Sequence, residues 1–137
     1  MFVNEVAQST QIPAHVVRYY TRIGLLKPSR HPENRYKVFS GRDVKRLKFI
    51  RKAKILGFTI NEIRQILDEI SHGKTPCPLV RTLLKQHIKE NCRKLEELMK
   101  LQQKMEKASA QWKHMPDAVP HADTMCHLIE SIEIQPS

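Results

Sequence analysis

From Leu79 to Trp112 the chain runs for about 34 residues without a glycine or a proline. As one α-helix, that run extends about 51 Å at about 1.5 Å per residue. A chain of 137 residues cannot bury the apolar face of so long a helix within itself. A 4,3 spacing passes through Leu84, Ile88, Asn91, Leu95, Leu98, Gln102, Met105, Ser109 and Trp112, the period of a helix seam that meets another helix. Polar Asn91, Gln102 and Ser109 interrupt the seam, and the other positions are apolar. Two arrangements satisfy the pattern. Either a solvated helix folds back on its own domain, or a coiled coil forms with a second copy. The second covers the stripe over its full length and is the expectation here.

Ahead of this helix the pattern changes. Val3, Val6 and Ala7 form an apolar i, i+3, i+4 face for a short helix over Phe2–Gln8, which Ser9 or Thr10 ends. Pro13 sits where a first-turn proline is tolerated. It introduces a second helix in which Val16, Val17, Tyr20 and Ile23 face inward and His15, Arg18, Tyr19 and Arg22 face outward, with Gly24 as its C′ residue. Lys27 to Arg35 is a basic loop holding Pro28 and Pro32, and Tyr36-Lys37-Val38-Phe39 alternates as a short strand does. Ser40 is a fitting N-cap for a helix from Gly41 to about Leu56, which Gly57 stops. Thr59 and Glu62 form a capping box for the next helix, with Ile60, Ile63, Ile66, Leu67 and Ile70 as its buried stripe and Gly73 at its end. Two short helices joined by a tight turn, followed by a strand pair, is the winged helix-turn-helix plan, whose second helix fits the DNA major groove. The fold class expected is mainly α. A winged helix-turn-helix domain (1–72) and a linker (73–78) lead to a dimerisation helix (79–112), then a C-terminal loop and short helix (113–137).

Charge agrees with a nucleic-acid partner. Lys and Arg number 24 against 14 Asp and Glu, a formal net charge of +10. The excess is concentrated, since between Arg18 and Lys54 the acids are Glu33 and Asp43 alone. Each phosphate neutralised by such a surface releases condensed counterions. No apolar run approaches the roughly 18 residues of a membrane span, and no signal-peptide core follows Met1, so the expected location is cytoplasmic, away from membranes. Three scattered cysteines, Cys77, Cys92 and Cys126, do not make a disulfide framework and read as reduced thiols or metal ligands. The chain carries no glycine-rich phosphate loop, no nucleophile elbow and no local catalytic signature, so it is not expected to be an enzyme.

The wording VVRYYTRIGLLKPSR (16–30) and ENRYKVFSGRDVKRLKFIRKAKILGFTINEIRQIL (33–67) closely resembles the DNA-binding domain of MerR-type transcription regulators. The resemblance covers about the first 70 residues and continues in layout through the long helix. It implies an antiparallel homodimer through that helix. Arg18 and its neighbouring tyrosines would contact promoter DNA, and the wing residues Arg35, Tyr36 and Lys37 would contact the flanking backbone. Arginine on a recognition helix can take a phosphate or the O6/N7 edge of guanine. Tyr20 reads as packing instead. The chain departs from the family wording at Thr21, where an acid is usual, at Arg35, where glycine is frequent, and at Phe39, where tyrosine is common.

If the long helices pair antiparallel, Cys77 at the head of one meets the loop after Trp112 of the other. Metal sensors of the family have this layout, with a cysteine at the helix head and Cys/His ligands in the partner's loop. Cys77 matches the first position, and Cys126, just before LIESI, matches the last loop cysteine. His121 falls where zinc-responsive relatives carry a histidine. The loop's first cysteine is missing here, and His114, Met115, Pro116 and Asp117 occupy its neighbourhood. His114, Asp117 and His127 are further candidate donors. Monovalent-ion members carry serine at the position of Cys77, so its cysteine favours a divalent ion. Mixed nitrogen and sulfur donors suit Zn²⁺, and Cd²⁺, Hg²⁺ or Pb²⁺ would also bind. Cys92, mid-helix, reads as a small packed residue.

The function implied is a homodimeric regulator that senses a divalent metal and activates a promoter by distorting DNA so that RNA polymerase engages it. Two alternatives stay open: a regulator of the same family whose cysteines meet an aldehyde or oxidant, and an architectural DNA-binding protein without an effector.

Overall fold

Helix α1 (Val3–Thr10) opens on a cap in which the Phe2 amide donates to Glu5 Oε1 at 3.0 Å. It closes on Gln11 in the left-handed region at φ 57. It runs two residues beyond the expected Gln8 because Thr10 is buried and donates its hydroxyl to the Val6 carbonyl at 2.7 Å, satisfying itself within the helix. Pro13 stands just outside α2 (Ala14–Arg22), where its carbonyl accepts from the Val16 and Val17 amides. Val17 and Tyr20 are buried, while Val16 and Ile23, expected inward, are only half-buried at the edge of the core. Gly24 ends the helix at φ +85, a backbone conformation that strains any side chain.

The wing is smaller than the expected strand. It pairs β1 (Ser29–Arg30) with β2 (Lys37–Val38) antiparallel, Ser29 opposite Val38 and Arg30 opposite Lys37. Phe39 leaves the ladder for the core, where it is 3 % exposed, and its amide donates to the Met1 carbonyl at 2.7 Å. Helix α3 (Gly41–Ile55) begins in a reciprocal cap between Ser40 and Asp43, which leaves Asp43 buried but satisfied. Helix α4 (Ile60–Ser71) begins in the expected box: the Thr59 amide donates to Glu62 Oε1 at 2.8 Å, and the Glu62 amide to Thr59 Oγ1 at 3.1 Å. Its stripe ends a turn early. Ile63, Ile66 and Leu67 are buried, but Ile70 is 45 % exposed.

Helix α5 (Cys77–Trp112) takes in the last residues of the expected linker, so Cys77 is its first residue and Pro78 lies in its first turn, where a missing N–H leaves no bond unmade. A short helix α6 (His127–Glu130) closes the described chain, starting one residue before the expected Leu128 and ending at Glu130 instead of Ile132. The structure describes residues 1–134 as a computed structural model; the last three residues of the expected C-terminal segment lie outside it.

The backbone divides into two compact units, Met1–His87 and Ile88–Ser137. The core of the first gathers Val6, Val17, Leu25, Leu26, Leu47, Ile50, Ile63 and Ile66, all essentially inaccessible. Each such side chain stabilises the fold by about 1.5–3 kcal/mol relative to exposure. The first turns of α5 belong to this unit, with Leu83 buried and Leu79, Val80 and Leu84 packed against the same core. His87 closes it. Its Nε2 lies 2.6 Å from Glu62 Oε1, and its ring meets Phe58 edge-on at 6.0 Å.

Burial alone would raise the Glu62 carboxyl, but hydrogen bonds from the Thr59 amide, His87 and the Thr59 hydroxyl outweigh it and hold the group below the ordinary glutamate range. A carboxylate depressed on folding contributes stability that is complete above its unfolded pKa of about 4.3 and is lost as pH falls through the lower folded value. Urea midpoints measured from pH 7 to 3 are therefore expected to drop more for the native chain than for Glu62→Gln, the two curves converging toward the acid end. Parallel curves would show that this carboxylate is not coupled to folding.

In the second unit, Ile88, Leu95, Leu98 and Met105 on the traced seam remain 55–60 % exposed, and Met99 and Leu101 beside it are exposed as well. Cys92 is exposed, not packed. In the last turns of α5, Trp112 Nε1 donates to Ser131 Oγ at 3.4 Å, and Ala108 is buried.

Candidate nucleic-acid interface and thiol donors

The outer face of α2 carries the expected side chains. His15, Arg18, Tyr19 and Arg22 are all exposed. The Arg22 guanidinium stands 5.4 Å over the Tyr19 ring, a contact that orders both groups. Tyr20 faces the other way; burial, and to a lesser extent the neighbouring Tyr19, push its hydroxyl above the ordinary tyrosine range, which is the behaviour of a packed side chain.

In the wing, Arg35 adopts φ 60. A non-glycine residue there costs about 1–2 kcal/mol, and the turn around it is tightly bonded. The Arg35 amide donates to the His31 carbonyl at 3.0 Å, Arg30 Nη1 donates to the Arg35 carbonyl at 3.2 Å, and the Tyr36 amide donates to Asn34 Oδ1 at 3.0 Å. Tyr36, at 66 % exposed, and Lys37 both remain exposed beside this turn. Arg18, Tyr36 and Lys37 line one common cleft, whereas His15, Tyr19, Arg22 and Arg35 lie outside it.

Sequence reasoning missed a second use of arginine. Arg46 Nε donates to the Leu25 carbonyl at 2.7 Å, Arg64 Nη2 to the Ile23 carbonyl at 3.0 Å and Arg51 Nη1 to the Thr10 carbonyl at 3.4 Å. These guanidiniums from α3 and α4 satisfy carbonyls at the ends of α1 and α2 and in the turn that follows α2. No spacing announces such a role, because acceptor and donor lie 21 to 41 positions apart.

The thiol donors are available. Cys77, Cys92 and Cys126 are free and exposed. Cys126 precedes α6, and the Met125 amide donates to Glu130 Oε1 at 3.1 Å. His121 pairs with Thr124 through both backbone bonds, at 2.9 and 3.0 Å, which fixes that stretch of the loop. His114, Asp117 and His121 are exposed, and His127 is half-buried. Thiolate and imidazole are the donors that a borderline-soft divalent ion takes, so the residue types fit. Among the described residues, however, no three His, Cys, Asp or Glu side chains of the single chain gather at metal-holding range.

A helix-turn-helix with an exposed basic second helix and a short wing defines a DNA-binding regulator. The profile of the "MerR HTH family regulatory protein" matches residues 1–70, and that of "MerR, DNA binding" matches residues 44–108. The chain belongs to the MerR family of helix-turn-helix regulators; its relatives are transcriptional regulators, not enzymes. It is 31% identical over 106 residues to a "probable heavy metal-dependent transcriptional regulator" of Haemophilus influenzae, covering 77% of this chain and 83% of that protein. To a "mercuric resistance operon regulatory protein" of Bacillus cereus it is 30% identical over 100 residues, covering 73% and 76%. The fold is also that of PbrR691, a transcription regulator from Ralstonia metallidurans solved in complex with lead(II). The TM-score is 0.75 at 24% identity, over 96% of this chain and 98% of the other.

Proposed function

We propose that this chain is a metal-responsive transcriptional regulator that acts as a homodimer on double-stranded promoter DNA, with Zn²⁺ as the leading effector and Cd²⁺, Hg²⁺ and Pb²⁺ as competitors. The observation that carries the reading is the pair of free, exposed thiols that bracket the long helix in sequence, Cys77 at its head and Cys126 beyond its end. The exposed stripe Ile88, Leu95, Leu98 and Met105 supports the dimer, since apolar side chains at heptad-like spacing gain free energy only when a second helix covers them. The relatives' descriptions, heavy metal in one and mercuric resistance in another, support the class of effector.

In this reading α2 of each subunit enters a major groove through Arg18 and Tyr19, with His15 and Arg22 beside them, while Arg35, Tyr36 and Lys37 of the wing hold the flanking backbone. Cys77 of one subunit with Cys126 and His121 of the other would hold the ion, His114, Asp117 and His127 being the nearby reserve of donors. Loading the site shifts the dimer between two states of different DNA shape, a coupling that uses the deformability of the promoter to bring its elements into register for RNA polymerase. Footprinting with and without Zn²⁺ tests this. Occupancy is expected to persist while the pattern of distortion at the centre of the site changes. Release of the protein with no change in distortion would overturn the mechanism. The exposure of all three thiols also suits a thiol-reactive signal. Mass spectrometry after aldehyde or peroxide treatment, set beside metal titration of the reduced protein, separates the two.

The wing offers a second check. Lys37→Ala is expected to weaken binding to every DNA sequence alike and to lower the salt slope by about one unit. An unaltered slope would place this ammonium away from the phosphates.

A further inference from the structure

Between the recognition helix and the wing lies a cleft of about 600 Å³. Its lining divides by chemistry. Phe2 and Phe39 give it an apolar side, while Arg18, Lys37, Asn4 and Asn34 bring polar groups to the same space. None of the ion pairs among the described residues involves Arg18 or Lys37, so both cations are uncompensated. Asn34 has its carbonyl oxygen committed to the Tyr36 amide, which leaves its NH₂ group to donate outward. Phe2 is 40 % exposed, and its ring meets Tyr36 edge-on at 6.3 Å and His31 at 6.2 Å. The first helix and the wing are thereby braced against each other at this cleft.

Apolar surface flanked by two unpaired cations and two neutral amides matches a single repeating unit of DNA. A deoxyribose ring offers C–H surface, and the phosphates on either side of it offer anionic oxygens. We infer that this cleft seats one sugar and its flanking phosphates of the DNA strand, with Phe2 and Asn4 of the first helix as contacts additional to the recognition helix and wing. Arg18 and Lys37 take the phosphates, the asparagine amides donate to phosphate or sugar oxygens, and the Phe2 ring packs on the sugar. Such contacts fix register without reading sequence. The inference rests on the reading of the chain as a DNA-binding protein.

The test compares Asn4→Ala, Phe2→Ala and Phe2→Tyr with Lys37→Ala on operator DNA and on an unrelated duplex, with phosphate-ethylation interference as a second readout. Asn4 is exposed, so its loss leaves the fold intact; thermal melting of each variant checks this. Asn4→Ala and Phe2→Ala are each expected to weaken binding about 3- to 10-fold, the range of one neutral contact. The loss should be equal on both duplexes and leave the salt slope unchanged, and Phe2→Tyr should restore affinity. Interference at one phosphate per half-site should fade in Asn4→Ala. Native affinity in folded Asn4→Ala and Phe2→Ala, with Lys37→Ala still impaired, would overturn the inference while leaving the DNA-binding reading in place. If Lys37→Ala and Arg18→Ala also bind normally, the underlying reading itself falls.

Discussion

Replacing Cys77 by serine in both subunits is expected to remove tight metal binding and, with it, the transcriptional response. Losing even an outer-shell partner of a metal ligand typically costs about 10–100-fold in affinity, and loss of a thiolate donor exceeds that. The sharper form of the experiment uses mixed dimers. In the crossed arrangement each site draws Cys77 from one chain and Cys126 from the other. A dimer with Cys77→Ser on one subunit and Cys126→Ser on its partner concentrates both losses at one end and should keep one of its two sites. A doubly substituted subunit paired with a native one should damage both. Metal stoichiometry of purified heterodimers reads the difference. The reverse result would put both cysteines of a site in one chain, and equal retention in the two designs would remove these residues from the site altogether.

Arg18→Ala carries the second large effect. Arg18 is exposed on α2, free of protein ion pairs and beside the wing. With Arg18 seated on a phosphate in the cleft, its loss should weaken binding to operator and unrelated DNA alike. If the same guanidinium also reads guanine through two hydrogen bonds, the operator should lose about 1–3 kcal/mol more and specificity at that base should relax. A smaller loss, the same on every sequence, would make it a phosphate contact. Titrations on operator and scrambled duplexes at one fixed salt concentration separate these outcomes, and unchanged affinity on both would remove α2 from the major groove.

Much of the first unit is legible before any coordinates exist, and the reason is local. The Thr59–Glu62 box, the Ser40 cap and the stop at Gly57 are each decided by neighbours within a few positions, so spacing predicts them. Where prediction slipped, a tertiary effect intervened. Thr10 extends α1 because it can be buried with its hydroxyl satisfied, and Ile70 leaves the α4 stripe because the core ends before the helix does. Phe39 abandons the wing strand to fill the core.

The candidate site divides along the same line. An exposed face on a short amphipathic helix follows from periodicity, which placed Arg18 and Tyr19 outward. The cleft beside it depends on how the wing folds back over α1, and no pattern in the chain marks Phe2 or Asn4 as its walls. For the thiols, residue type and the family's layout located the donors. The convergence proposed for them lies between two chains, which one chain's order cannot express.

The three guanidiniums seated on carbonyls at or just past helix ends change how a mutational survey of this protein must be interpreted. An alanine scan of its basic residues would find Arg46, Arg51 and Arg64 important and would credit them to DNA. Their substitution instead frees backbone oxygens at the ends of α1 and α2 and in the turn after α2, displacing the helix that presents Arg18. Lysine keeps the charge but lacks the planar fork, so Arg46→Lys and Arg64→Lys should still lower the melting temperature, while a true phosphate contact would tolerate the exchange. The apparent footprint of such a survey would be larger than the real one, and the Arg-to-Lys series is what separates architecture from contact.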